Sequence, residues 1–76
     1  MTHDYETDPR PFAEVLADFG QLVNGGKVYG ARKRAAEELR VSPNAIDRWL
    51  DGRGCALDAS MRRLMTEIAK NLAGPA

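Results

Sequence analysis

The sequence has very few of the side chains that form covalent cross-links or metal centres. It holds one cysteine, Cys55, and one histidine, His3, among its 76 residues. A single cysteine excludes an internal disulfide and a thiolate-ligated structural zinc, and it is typical of the reducing cytoplasm, where we expect the protein to act. We interpret Cys55 as an inert loop thiol and His3 as a solvated side chain.

Long apolar runs are absent as well. No stretch approaches the roughly 20 apolar residues that a membrane-spanning helix requires, and the acidic first residues lack the basic and apolar regions of a signal peptide. An enzyme is the least favoured class of protein, because the chain offers no catalytic histidine, no nucleophile elbow and no metal cluster. We therefore expect no catalytic residue, cofactor, metal, small-molecule ligand or membrane partner.

The formal net charge is zero, yet the two signs are unevenly distributed along the chain. Residues 1–26 hold five acidic side chains and one basic one, whereas residues 27–76 hold ten basic side chains and six acidic ones. The composition of 43% hydrophobic and 29% charged residues is ordinary for a globular domain and excludes general disorder. The charge asymmetry fits a protein that presents one basic face to phosphate.

Apolar residues recur with helical spacing in several segments, and none alternates with the period of a strand. The first predicted helix follows Asp8 as its N-cap, with Pro9 and Pro11 in the first turn, and it ends at Gly25 and Gly26. Residues 27–30 are a connector of uncertain shape. The apolar face of this helix is formed by Phe12, Val15, Leu16, Phe19, Leu22 and Val23.

Three further helices are predicted. The second covers residues 31–39, which are strong helix formers, and the third starts with Ser42 as its cap and Pro43 as its first residue and runs to Leu50. The fourth starts at Asp58 as its N-cap and stops before Gly74-Pro75. Its apolar face is formed by Met61, Leu64, Met65, Ile68 and Leu72. The predicted fold is all-α, a compact bundle of four to five short helices, with residues 1–8 as a flexible tail and 9–73 as one domain.

The second and third helices are joined by a turn of three or four residues and form a helix-turn-helix, in which the two helices must cross closely. Ala36 supplies the small side chain that close crossing requires. The apolar residues expected to pack this pair on the core are Leu39, Val41, Ile46 and Trp49. The third helix is then left with Asn44, Asp47 and Arg48 on its outer face, and with Pro43 and Ala45 near its tip.

The run from Ala35 to Gly52, AAEELRVSPNAIDRWLDG, resembles the helix-turn-helix motif of the phage repressor and Cro-like family, also called lambda repressor-like. The flanking helices extend the resemblance over most of residues 9–73. The family usually has glycine at the turn position that Arg40 occupies here. We therefore expect Arg40 to adopt a positive φ, or the turn to take another shape.

The resemblance implies that the third helix enters the major groove of double-stranded DNA. Asn44 would then pair with adenine, Arg48 would pair with guanine or reach a phosphate, and the Ala45 methyl would touch thymine. Asp47 would accept a hydrogen bond from cytosine or orient Arg48. The full set of expected base contacts is Pro43, Asn44, Ala45, Asp47 and Arg48, and the expected phosphate contacts are Arg32, Lys33, Arg34, Ser42 and Arg53.

Two functions remain in competition. The first is a sequence-specific transcriptional regulator, most simply a repressor, which binds a palindromic site as a homodimer with half-sites about 34 Å apart. Unused apolar surface on the fourth helix or on the acidic first helix is where the dimer contact is expected. The second is an antitoxin-like or adaptor module that uses the same helices to bind a partner protein, and the zero net charge favours it.

Overall fold

The computed structural model describes residues 4–53 and 57–72, and this part of the chain contains four α-helices and no strand. The helices are α1 (Phe12–Val23), α2 (Ala31–Leu39), α3 (Pro43–Leu50) and α4 (Asp58–Leu72). The predicted all-α fold is confirmed. None of these helices combines the length and the apolar character that crossing a membrane would take. The expectations for His3, Cys55 and the stop at Gly74-Pro75 lie outside the described residues.

The core is assembled around α1, which packs against the other three helices. Gly20 lets α2 approach closely, since a methyl group at this position would lie 3.1 Å from the carbonyl oxygen of Ala31. In contrast, α3 contacts α1 and α2 but not α4 among the described elements, so one whole side of α3 stays outside the bundle. The buried apolar side chains are Tyr5, Phe12, Val15, Leu16, Phe19, Val23, Ala31, Ala35, Ala36, Leu39, Ile46, Met65 and Ala69.

The start of α1 differs from the prediction. The helix begins at Phe12 after Pro11, whose carbonyl oxygen accepts hydrogen bonds from the next turn, and Asp8 is not its N-cap. The Asp8 carboxylate instead accepts hydrogen bonds from the backbone N–H of Arg10 at 2.9 Å and from the Arg10 guanidinium. These bonds favour the ionised carboxylate and lower the pKa of Asp8 to about 2. Because the Asp8 carboxylate is bound to Arg10, it does not serve as the N-cap on which the predicted start of α1 depended.

Residues 5–10, which precede α1, are packed on the fold, in contrast to the flexible tail expected for residues 1–8. Tyr5 is 2% exposed, its ring meets the Phe19 ring edge-on, and burial raises its pKa to about 12. Its backbone N–H donates to the Thr66 hydroxyl at 3.0 Å. The guanidinium of Arg62 donates to the carbonyl oxygens of Tyr5, Asp8 and Arg10 at 3.0, 2.9 and 2.9 Å. Arg62 on α4 therefore ties residues 5–10 to the bundle.

The buried face of α4 is rotated from the predicted one. Met65, Thr66 and Ala69 are buried, whereas Leu64 and Leu72 are 36% and 49% exposed. The cause is that α1, α2 and residues 5–10 together cover only one side of the apolar arc of α4. Asp58 is already the first residue of α4, and its carboxylate accepts a hydrogen bond from Arg62 Nε.

Of the two shapes expected for the turn between α2 and α3, the structure has the one with a positive φ at Arg40. Ala36 is 3% exposed, and its carbonyl oxygen accepts a hydrogen bond from the Val41 N–H at 3.0 Å. Arg40 adopts the left-handed conformation, with φ 57° and ψ 45°. The start of α3 is also confirmed: the Ser42 hydroxyl accepts from the Ala45 N–H at 3.2 Å, and Pro43 is the first helical residue.

The left-handed conformation at Arg40 leads to a stability prediction. A Cβ atom is strained there and glycine is not, so Arg40→Gly is expected to stabilise the fold by about 1 kcal/mol. That change corresponds to a rise of roughly 4–8 °C in Tm for a domain of this size, measured by thermal unfolding. Arg40→Ala is the control, because it removes the charge and keeps Cβ. Equal Tm values for the glycine and alanine variants would contradict the role of backbone strain.

Candidate nucleic-acid interface

The outer side of α3 carries exposed polar side chains, and the inner side of the same helix is packed on the bundle. Asn44, Asp47 and Arg48 are exposed, while Ile46 on the opposite side is 0% exposed. Trp49 packs its ring edge-on against the Phe12 ring with 5.8 Å between centroids, so it anchors α3 to α1. The predicted orientation of α3 is confirmed, and contact of its outer side chains with DNA remains a prediction.

The tip of α3 is exposed and capped. Pro43 is exposed and Ala45 is half-buried, which leaves the Ala45 methyl partly accessible. The Ser42 hydroxyl uses an oxygen lone pair to accept the Ala45 N–H, and its own hydrogen is still able to be donated. This end of α3 therefore offers one small apolar surface and one hydroxyl donor, in the places where thymine and phosphate contacts were expected.

An ion pair joins the start of α2 to the outer face of α3. Arg32 Nη1 donates to Asp47 Oδ1 at 3.0 Å, and the two side chains are 66% and 51% exposed. An exposed pair of this kind contributes at most about 1 kcal/mol to folding, because water screens the attraction. Asp47 thus orients Arg32 and not Arg48, which was the partner considered from the sequence. Among the described residues Arg48 forms no ion pair.

The remaining expected phosphate contacts are not all brought to the same place. Lys33 is exposed beside Arg32, and Arg53 is exposed just beyond α3, where its N–H donates to the Arg48 carbonyl oxygen at 3.3 Å. Arg34 lies about 200° around α2 from Arg32, given about 100° per residue. Its guanidinium donates to the Val23 carbonyl oxygen at 3.3 Å and pairs with two glutamates of α2. Arg34 therefore lies apart from the outer face of α3.

One exposed feature was missed at the sequence level. The connector between α1 and α2 displays Val28 and Tyr29, which are 74% and 95% exposed. The apolar pattern contained no signal for it, because two isolated apolar residues between glycines belong to no helical face. The only hint was the position of the pair directly before the basic start of α2.

The assembled surface combines exposed hydrogen-bonding groups on α3 with basic groups beside this helix and just beyond it. Asn44 and Arg48 carry the amide and guanidinium groups that pair with adenine and guanine edges. Arg32 is paired with Asp47 on the same face, and Arg53 follows the end of α3. No family model, curated protein or solved structure matches this chain.

Proposed function

We propose that this protein binds double-stranded DNA in a sequence-specific manner and regulates transcription as a repressor, with α3 inserted in the major groove. The proposal is based on how α3 is attached to the bundle. Ile46 and Trp49 anchor its inner side, and its outer side remains polar and exposed. A single protruding helix of this width fits the major groove, and its convex surface is a poor shape for enclosing a small substrate.

In this arrangement the outer residues of α3 read bases and the flanking residues fix the register. Asn44 binds adenine, Arg48 binds guanine, and the Ala45 methyl contacts thymine. Phosphate contacts from Arg32, Lys33, Ser42 and Arg53 hold the helix in place and supply affinity without sequence information. A protein seated in this way on a promoter represses by excluding the polymerase.

Selection of bound fragments from a random duplex library, followed by titration of the selected site over a range of salt, tests the proposal. Three cationic phosphate contacts per copy predict a slope of about −3 in log K against log salt for each copy bound, because each contact releases counterions. Absence of an enriched sequence, or an affinity that does not change with salt, would contradict it. The competing adaptor function predicts that duplex DNA is not retained and that a protein partner is.

The ion pair between Arg32 and Asp47 gives a prediction on affinity. Asp47→Asn removes a negative charge from the surface and frees Arg32, so binding to random duplex is expected to strengthen by about 3- to 10-fold at low salt, with a salt slope steeper by about one. Fluorescence anisotropy with a labelled duplex measures both quantities. Asp51→Asn is the matched control, since Asp51 is an exposed acid at the end of α3. Equal effects of the two variants would reject a specific role for the pair.

We further propose that two copies bind a palindromic site as a homodimer through an apolar stripe on α4. Three of the large apolar residues of this stripe, Leu57, Leu64 and Leu72, are 56%, 36% and 49% exposed. The whole stripe, Leu57, Met61, Leu64, Ile68 and Leu72, is nearly symmetric about the midpoint between residues 64 and 65. An antiparallel second α4 would thus pair Leu57 of each copy with Leu72 of the other, as a two-fold interface requires.

Sedimentation of the wild-type chain and of Leu64→Lys measures this association. The wild type is expected to sediment as a dimer and Leu64→Lys as a monomer, because a charge at the centre of the stripe cannot be buried without a partner. Ala59→Lys, which adds the same charge on the far side of α4, is expected to remain dimeric. A monomeric wild type at concentrations far above those that saturate DNA would contradict the dimer.

A further inference from the structure

The connector between α1 and α2 exposes two apolar side chains at one point of the surface. Tyr29 is 95% exposed and Val28 is 74% exposed, more than any other large apolar residue that the structure describes. Leaving such side chains in water forgoes the free energy that their burial would provide. We call this pair, Val28 and Tyr29, the connector tip.

The connector tip is held by specific hydrogen bonds. The Asn24 side-chain amide donates to the carbonyl oxygens of Lys27 at 2.9 Å and Tyr29 at 2.6 Å. The Ala31 N–H donates to the Val28 carbonyl oxygen at 3.1 Å, and Gly30, with φ 82°, allows α2 to begin immediately afterwards. Two apolar side chains are thus displayed from an ordered backbone, so a ligand that covers them has little backbone conformational entropy to remove.

The connector tip adjoins the proposed DNA-binding surface. Val28, Arg32 and Leu50 line the same open groove, which has a volume of about 370 Å³. Arg32 is in turn paired with Asp47 on the outer face of α3. Arg32 therefore links Val28 of the connector tip to the outer face of α3.

The charge around the connector tip favours a polyanion as its ligand. Residues 27–33 carry three positive side chains and no negative one, and Glu14 of α1 also lines the groove. Lys27 precedes the tip directly, and Arg32 and Lys33 follow it in the first turn of α2, where the free N–H groups of the helix also favour a negative charge. A partner protein with an acidic surface would be attracted by the same charges. DNA is favoured because these charges lie next to α3, the helix proposed to enter the major groove.

We infer that the connector tip binds the sugar-phosphate backbone of the DNA, beyond the bases that α3 reads. The Tyr29 hydroxyl donates a hydrogen bond to a phosphate oxygen, and the Val28 side chain covers the neighbouring deoxyribose. Tyrosine hydroxyls are among the groups that make such backbone contacts. The inference rests on the proposed DNA-binding function and assigns to it a second contact region that carries no base specificity.

Nuclear magnetic resonance on the wild-type protein tests the placement directly. The chain has two tyrosines, so a sample with ¹³C-labelled tyrosine rings gives two sets of ring signals. When the selected duplex is added, the Tyr29 signals are expected to shift, while those of Tyr5, which is buried beside Phe19, stay in place. Tyr29 signals that do not move on saturation with the duplex would overturn the inference.

Binding measurements on three variants test the energetics. Tyr29→Phe removes only the hydroxyl and is expected to weaken binding about 5-fold, and Tyr29→Ala about 10-fold or more. Both losses should be the same on the selected site and on random duplex, with an unchanged salt slope, because a backbone contact without charge reads no sequence. Ala59→Gln, an uncharged change on the far side of α4 from the apolar stripe, is the control and should bind as the wild type does. Since Tyr29 is 95% exposed and Ala59 is exposed, all three variants should keep the wild-type Tm.

The failure of this inference can be told apart from the failure of the proposed function. A wild type that binds no duplex DNA overturns both. A wild type that selects a sequence, together with a Tyr29→Ala variant whose affinity lies within about 2-fold of the wild type, overturns the inference and leaves the function of α3 intact.

Discussion

Replacement of Arg62 by methionine is expected to destabilise the fold by about 2–4 kcal/mol, which lowers Tm by roughly 10–25 °C. Methionine keeps most of the side-chain stem, so the loss comes chiefly from hydrogen bonds. The Arg62 guanidinium, at a side chain only 12% exposed, bonds three backbone carbonyl oxygens and the Asp58 carboxylate and lies 5.9 Å from the centre of the Phe12 ring. Without it, part-buried carbonyl groups lose their partners and residues 5–10 lose their attachment to α4.

Arg63→Met is the matched control, because Arg63 is the next residue of α4 and its side chain is 76% exposed. Its contact with Glu6 at 3.9 Å is a weak surface pair, and its loss is expected to change stability by less than about 1 kcal/mol. Thermal and urea unfolding of both variants measure the difference. Hydrogen exchange at the Tyr5 amide, which is bonded to Thr66, should become faster in Arg62→Met alone. Equal Tm values for the two variants would contradict the role assigned to Arg62.

Arg48→Ala is expected to weaken binding to the selected DNA site by about 1–3 kcal/mol, or roughly 5- to 150-fold, and to relax the base preference at one position. The reason is that a bidentate guanidinium contact exists only with the correct base. Binding to random duplex should change far less. Because Arg48 is exposed and forms no ion pair among the described residues, its removal should leave Tm unchanged.

Arg53→Ala supplies the contrast for Arg48→Ala. Arg53 is expected to contact phosphate, so its loss should weaken binding to the selected site and to random duplex by the same factor and reduce the salt slope by about one. Anisotropy titrations on the two duplexes, at several salt concentrations, separate the two patterns. An equal loss on both duplexes for Arg48→Ala would move Arg48 from the base-reading group to the phosphate-contacting group.

The bounds of α2 and α3 were predictable because the signals that set them are local. Ser42 accepts the N–H of Ala45, three residues away, and Pro43 has the φ of a first helical residue wherever it stands. Gly52, with φ 85°, lies two residues after the end of α3 at Leu50, the end that the sequence predicted. The start of α1 was misplaced since a second local interaction, the pairing of Asp8 with Arg10, competes for the side chain that would have capped it.

The attachment of the N-terminal segment was not predictable from its own residues. Residues 1–8 are polar and unpatterned, and the groups that hold Tyr5 in place, Thr66 and Arg62, lie 61 and 57 residues away in sequence. The sequence pattern of α4 likewise contained more apolar positions than its neighbouring helices cover. Which of them are exposed depends on where α1 and α2 lie, and periodicity within α4 carries no information on that.

In the candidate interface, the sequence predicted which side chains are exposed but not which side chains form ion pairs. The outward orientation of Asn44 and Arg48 follows from the burial of Ile46, because residues on opposite sides of one helix cannot both face the core. The partner of Asp47 did not follow, since Arg32 lies 15 residues earlier and on another helix. Arg34 was predicted to contact phosphate together with Arg32 because the two residues are close in sequence. Side chains two positions apart on a helix, however, lie on nearly opposite sides.

The amino-acid order alone specified the segments that form the helices, the apolar sides of α1, α2 and α3 and the polar side of α3, because these depend on spacing and on capping within a few residues. The packing of the helices decided which apolar positions stay in water, that Arg62 binds the N-terminal segment, that Asp47 pairs with Arg32, and that Val28 and Tyr29 stand beside the start of α2. Each of these depends on the crossing of distant segments, and the free energy of such contacts is defined only once the whole bundle has formed.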